Sequence, residues 1–284
     1  IENGGRDLQY WIRDHVLHAI HCFILGIYLN ENYLNQYGAL KVDSFQMKLA
    51  ILFHDVGYPV EISQNLLLDY NLKISEIAKE IDISIEKQPI FKVSYDKLNV
   101  LYHNKSLDLI QEQLNKWELK INAKREFNKR KKEGKVCHGI ISSLLLLKVI
   151  DLMYEKYNPF RVRNDIYESS EQINWNQSYF EKDVVPACTA IFIHNLDASS
   201  FNKTKINPQK APLAFLLKLT DILQEWERPK SGLENGLSAE KFDIYFQNNQ
   251  LSLIADIDEG TIKKMNDEIQ SFLLVDNILV VKKT

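Results

Sequence analysis

The chain has 284 residues, of which 45 % are apolar and 26 % charged, and its formal net charge is -3. That balance is ordinary for a globular protein with one large core or two modest ones, and it excludes a disordered chain and one held to nucleic acid by bulk positive charge. Three scattered cysteines, Cys22, Cys137 and Cys188, have no C-x-x-C spacing, which excludes a disulfide framework and a thiolate zinc site and predicts a reducing, cytoplasmic setting.

From the N-terminus, Leu8, Trp11, Ile12, His15, His18 and Cys22 recur at steps of three and four, which predicts a long buried helix from Arg6 to Asn30. Asp43 or Ser44 caps a second helix, Phe45 to His54, which the Gly57-Tyr58-Pro59 turn stops. Leu66 to Ile81 reads as helix, and Ile85 to Val93, interrupted by Pro89, as a connection. Ile110, Leu114, Trp117 and Ile121 make an amphipathic stripe on a helix that starts at Leu107 and runs on to Lys135, becoming strongly basic. Between Lys116 and Lys135 nine Lys or Arg stand against three Glu, a face that is ordinarily solvated and whose alternative is a surface that attracts phosphate.

Val136 to Tyr157 is the next apolar helix, while Asn158 to Asp183 lacks periodicity and reads as a long surface loop or lid. Two more buried helices follow, Val184 to Leu196 with Pro186 in its first turn, and Pro212 to Trp226. After Ser231 the pattern turns to β-formers. Phe242 to Phe246 and Leu251 to Ile257 form a hairpin, Ile262 to Leu274 a helix and Ile278 to Val281 a last strand. The expected fold class is therefore mainly α, a helical domain over residues 1–230 with a small α+β appendage over 231–284. The longest apolar runs, Cys22 to Leu29 and Ile140 to Leu147, are far short of the roughly 20 residues that span a bilayer, so a soluble protein without membrane contact is expected. The chain begins at Ile1 rather than methionine, a pattern that fits a piece of a larger parent protein, and a homo-oligomer is compatible with the same composition.

The chemistry gathers on Leu49 to Pro59, LAILFHDVGYP, which delivers His54 and Asp55 side by side at the end of an apolar helix. A carboxylate leaving water must be paired, hydrogen-bonded or bound to a metal. A divalent cation satisfies both residues, because imidazole is a neutral nitrogen ligand and the carboxylate can place its two oxygens on two ions. An isolated His-Asp pair is weak evidence, but His18 lies on the buried face of the first helix, His138 opens a helix and His194 closes one. Asp221, flanked by Phe215, Leu216, Leu217, Leu219, Ile222 and Leu223, needs a partner as much as Asp55 does. The competing reading of each histidine is a helix-end residue bonded to a backbone carbonyl. No G-x-S-x-G, glycine-rich P-loop or H-E-x-x-H motif is present.

In this order, RDHVLHA at Arg13, FHDVGYP at Phe53, CHGIISSLLLL at Cys137, AIFIHNL at Ala190 and LLKLTDILQEWERP at Leu216 resemble the HD-domain superfamily of metal-dependent phosphohydrolases. The resemblance spans Arg6 to Pro229 and leaves the C-terminal appendage unexplained. It implies that His18, His54, Asp55 and Asp221 hold a first divalent metal, and that His138 and His194 hold a second ion bridged by Asp55. One or two ions are implied, with Mn, Fe, Mg, Ni and Zn not distinguished. His15 and His18 also resemble, with Val16 and Leu17 between them, the paired histidines of cyclic-nucleotide phosphodiesterases. By that likeness His15 stands one turn from the metal and protonates a leaving oxygen. Its alternative is a plain bond to Asp14 or another carboxylate, and the choice of His15 or His18 as the first-helix ligand stays open.

The implied activity is hydrolysis of a phosphate ester or anhydride of a nucleotide or cyclic nucleotide by metal-activated water, with Asp55 and His15 as catalytic groups. Proximity in sequence makes Arg13, Lys218, Gln224 and Arg228 the candidate substrate contacts. The alternatives are a metal-dependent nuclease, in which the basic stretch tracks single-stranded nucleic acid, and a regulatory module without turnover. His21 and His103 are read as ordinary histidines.

Overall fold

The computed structural model describes residues 2–80, 95–102, 104–156, 179–224, 242–247, 250–255, 257–275 and 277–282, with side chains from His15 onward. Helix α1, Glu2–Asn32, presents Ala19, Cys22, Leu25 and Leu29 to the core at helical spacing. Helix α2, Ser44–Phe53, is capped by Asp43, whose carboxylate accepts from the amides of Phe45 at 2.8 Å and Gln46 at 3.3 Å.

Gly57-Tyr58-Pro59 is a junction rather than a stop, because helix α3, Tyr58–Glu80, begins inside it. Proline is tolerated there since an N–H in the first helical turn has no intrahelical acceptor. Gly57 lets this junction lie against the chain that starts the later histidine helix. A Cβ on it would come within 2.7 Å of the His138 carbonyl and the Ser142 amide, and its own N–H donates to Ser142 Oγ at 2.7 Å. The connection Ile85 to Val93 lies outside the described residues.

The single helix expected from Leu107 to Lys135 is two: α4, Ser106–Lys116, and α5, Ala123–Glu133. The chain breaks at Glu118, which has a φ of 57°, and restarts at Asn122, whose side chain accepts from the Arg125 amide at 2.8 Å. The break buries Trp117, Leu119 and Ile121 together, which a straight helix carrying so many lysines would not do. Gly134, at a φ of 71°, ends α5.

Helix α6, His138–Lys156, opens with the predicted histidine. Most of the loop expected over Asn158 to Asp183 lies outside the described residues. Its end is not loop, because Phe180–Val184 forms a π-helical turn that runs straight into helix α7, Val185–His194. Every residue of α7 except Pro186 is buried, and α7 packs on α2, α4, α6 and helix α8, Pro212–Leu223. It is the axis of the bundle. Helix α1 lies across α2 and α8, and α3 lies against α6.

Strands β1, Phe242–Gln247, and β2, Gln250–Ala255, pair antiparallel with Gln247 opposite Gln250; the turn residues between them lie outside the described residues. Helix α9, Glu259–Phe272, crosses to β3, Ile278–Lys282, which is parallel to β2. The three-stranded sheet has the order β1-β2-β3. Leu251, Leu253, Met265, Ile269 and Val280 join the same apolar core as the helices. The protein is thus mainly helical with one small sheet. No single described helix is long and apolar enough to cross a membrane.

Candidate metal centre

Helix packing brings the ends of α2, α6 and α7, the middle of α1 and the last turns of α8 to one place. His18 is 3 %, His54 0 %, Asp55 7 % and His194 2 % exposed, so the polar groups lie in the interior. Asp55 sits between all of them. Its Oδ1 is 3.5 Å from His54 Nε2, 3.3 Å from His138 Nε2 and 3.7 Å from His194 Nε2. Its Oδ2 is 3.9 Å from His18 Nε2 and accepts from His15 Nδ1 at 2.8 Å. Asp221 Oδ1 closes the other side, 3.2 Å from His18 Nε2 and 3.9 Å from His54 Nε2.

The other nitrogen of each imidazole is already used. His54 Nδ1 donates to the Ile51 carbonyl at 2.7 Å, His194 Nδ1 to the Ile191 carbonyl at 2.6 Å, and His138 Nδ1 to Glu61 Oε2 at 2.7 Å. His18 Nδ1 donates to Gln224 Oε1. Each ring therefore carries its proton on Nδ1 and turns the bare lone pair of Nε2 inward, the tautomer that such outer partners impose on metal-binding histidines.

The consequence is electrostatic. Lone pairs of His18 and His54 face each other at 3.2 Å, and all four rings face carboxylate oxygens, acceptor against acceptor. Burial, reinforced by the neighbouring His194 and His18 and only partly opposed by Asp55 and Asp221, pulls the His54 pKa down to about 4, so this ring is neutral at neutral pH. Burial works to raise the acids, yet in acid, where His54 becomes a cation, that charge and the hydrogen bond from His15 hold the Asp55 carboxyl well below the usual range, and His18, His194, Lys218 and His54 do the same for Asp221. Two buried carboxylates crowded among four inward Nε2 atoms call for a cation.

The spacing fits one. Metal–ligand bonds of about 2.1 Å put neighbouring ligand atoms roughly 3.0 Å apart in an octahedron and about 3.4 Å in a tetrahedron. The separations of 3.2, 3.2, 3.3 and 3.5 Å fall around these values. Two trios of ligand atoms are close enough to share an ion: His54 with Asp55 and His194, and His18 with Cys22 and His54.

All six predicted ligands, His18, His54, Asp55, His138, His194 and Asp221, converge. His15 is bonded to a carboxylate, as its alternative reading had it, but that carboxylate is Asp55 itself. Two substrate candidates are taken up by partners within the protein. Lys218 is 6 % exposed and donates to the His194 carbonyl at 2.9 Å, because the end of α7 needs a cation for its unpaired carbonyls. Gln224, 2 % exposed, is turned inward by the last turn of α8 and serves as the acceptor for His18. The Arg13 side chain and Arg228 lie outside the described residues, as does His103.

Sequence reasoning missed Glu61, which takes both the ring and the backbone N–H of His138, at 2.7 and 2.5 Å. It also missed Tyr58, whose ring centroid lies 3.9 Å from that of His15 and 4.5 Å from that of His138. Cys22 carried a readable signal, since it stands four residues after His18 and so shares its helix face. Comparison with protein-family models, with curated proteins and with solved structures found no match.

Proposed function

We propose that the chain is an HD-type, metal-dependent phosphohydrolase that hydrolyses a phosphate ester or anhydride, of a nucleotide or cyclic nucleotide by the family likeness. One observation carries this reading: four Nε2 lone pairs and two carboxylates, delivered by α1, the α2–α3 turn, α6, α7 and α8, face one another with every Nδ1 engaged elsewhere. His18, His54, Asp55 and Asp221 would hold one ion, and His138, His194 and Asp55 a second. Divalent ions there supply Lewis-acid charge for the phosphate and lower the pKa of water into the neutral range.

The protein's own groups do the rest. Asp55 offers one oxygen to each half of the centre, and its bond to His15 fixes which oxygen faces which half. His15, on the open side of Asp55, stands where a ring proton reaches a leaving oxygen. Gln224, Glu61 and two backbone carbonyls hold the four rings, so little reorganisation is needed when substrate arrives.

Part of the positive charge of helix α5 is compensated within the protein. Lys124 is paired with Asp108 at 2.5 Å and Arg130 with Asp197 at 2.7 Å. The decisive experiment is metal analysis together with hydrolysis of a nucleotide and cyclic-nucleotide panel in added manganese. Asp55→Ala is expected to lose bound metal and turnover while its helical circular dichroism is kept, and unchanged turnover in that variant sinks the assignment.

A further inference from the structure

We propose that the hollow between α1 and the α2–α3 turn is a specificity pocket for the apolar leaving group of a phosphoester. This rests on the phosphohydrolase reading above and adds the substrate class to it. The hollow holds about 330 Å3, within the roughly 300–1,000 Å3 range of small-molecule sites. Three residues of the centre, His15, Asp55 and Tyr58, form its polar end, and Val16, Ile20, Phe53, Val56 and Ile62 are among those that form its walls.

The walls are left in water. Val16 is 55 %, Ile20 43 %, Phe53 40 % and Val56 43 % exposed. A single exposed apolar side chain is commonplace, but four of them around one mouth beside buried carboxylates mark a surface that gains from being covered. Among the described residues that line it, none is a Lys or Arg, so a polyphosphate chain finds no countercharge there, whereas an uncharged ring or branched alkyl group finds matching walls. His15 and Ala19 on one row of α1, with Val16 and Ile20 on the next, make the pocket continuous with the group that faces Asp55. The ester oxygen therefore sits at His15 and its organic substituent lies in the hollow. In hydrolysis a water oxygen forms the new bond to phosphorus and gives up a proton to solvent, the bond to the ester oxygen breaks, and that oxygen leaves as the alcohol with a proton from His15, which solvent then replaces.

Phenylphosphonate and methylphosphonate test this, because they share one anionic head and differ only in the apolar group. Calorimetric titration of the manganese-loaded protein is expected to find the phenyl compound at least about tenfold tighter. Ile20→Trp fills the hollow and Val16→Asn makes its wall polar. Each is expected to bring the two affinities within about twofold, with manganese content and methylphosphonate binding unchanged. Equal affinities in a wild-type protein that binds manganese and methylphosphonate overturn the pocket alone, as does an unchanged preference in both variants. A protein that takes up no manganese overturns the metal reading and the pocket with it.

Discussion

Each imidazole of the centre depends on a partner that is itself no ligand, and the partner decides what a substitution costs. Glu61 is the clearest case, since one carboxylate oxygen holds both His138 Nδ1 and the amide that opens α6. Outer partners of this kind typically change metal affinity about 10–100-fold when removed. On the proposed two-ion reading, Glu61→Ala is therefore expected to weaken one ion by that factor and spare the other, visible as a second, weaker step in chelator competition. A single unchanged step would place Glu61 outside the centre's support. The candidate ligands were legible because His and Asp on apolar helices are conspicuous. Glu61 and Tyr58 were not, for their roles exist only once α3 is seen to start at Tyr58 and run past α6.

Between elements, α6 comes close to α7 at Gly139. A Cβ there would lie 2.9 Å from His194 Cε1 and from the Ile191 carbonyl, which is the acceptor that orients His194. Gly139→Ala should push these helices apart at a ligand, costing roughly 1–3 kcal/mol of stability. It should also lower metal content more than an alanine at exposed Gly260 does, as denaturant titration and metal analysis would register. The periodicity of apolar residues located the helices well, since burial on one face writes itself into spacing. It joined α4 to α5 because Trp117 and Ile121 keep helical phase across the break. The signals it passed over are local: Glu118 in a left-handed conformation and the Asn122 cap.

Across the whole molecule the core is continuous, and all three thiols lie in it. Cys22 and Cys188 are 0 % and Cys137 6 % exposed, and burial pushes the Cys137 and Cys188 thiols up, out of the reactive range. Alkylation in native buffer is expected to label none of the three, and labelling should follow the unfolding transition. Because the candidate ligands come from five separated stretches, removal of an ion held as proposed should move that transition to lower temperature. An ion present at 100 times its Kd is worth about 2.7 kcal/mol of stability. Rapid labelling of folded protein, or a melting point indifferent to chelator, would contradict this. A mainly helical chain with a small sheet packed against the helices was foreseen, but the register of that packing, Ile206 against Leu273, was not, because such contacts leave no mark on spacing.

That union reaches the centre through one side chain. Lys218, whose ammonium holds the His194 carbonyl, lies 4.4 Å above the ring of Phe272, and Phe272 in turn meets Phe201 edge to face. Helix α9 thus acts as a lining for the very helix that supplies Asp221. Amputating it would wet an ammonium whose neighbour anchors a histidine, so a shortened protein that keeps every candidate ligand should still bind a divalent ion poorly.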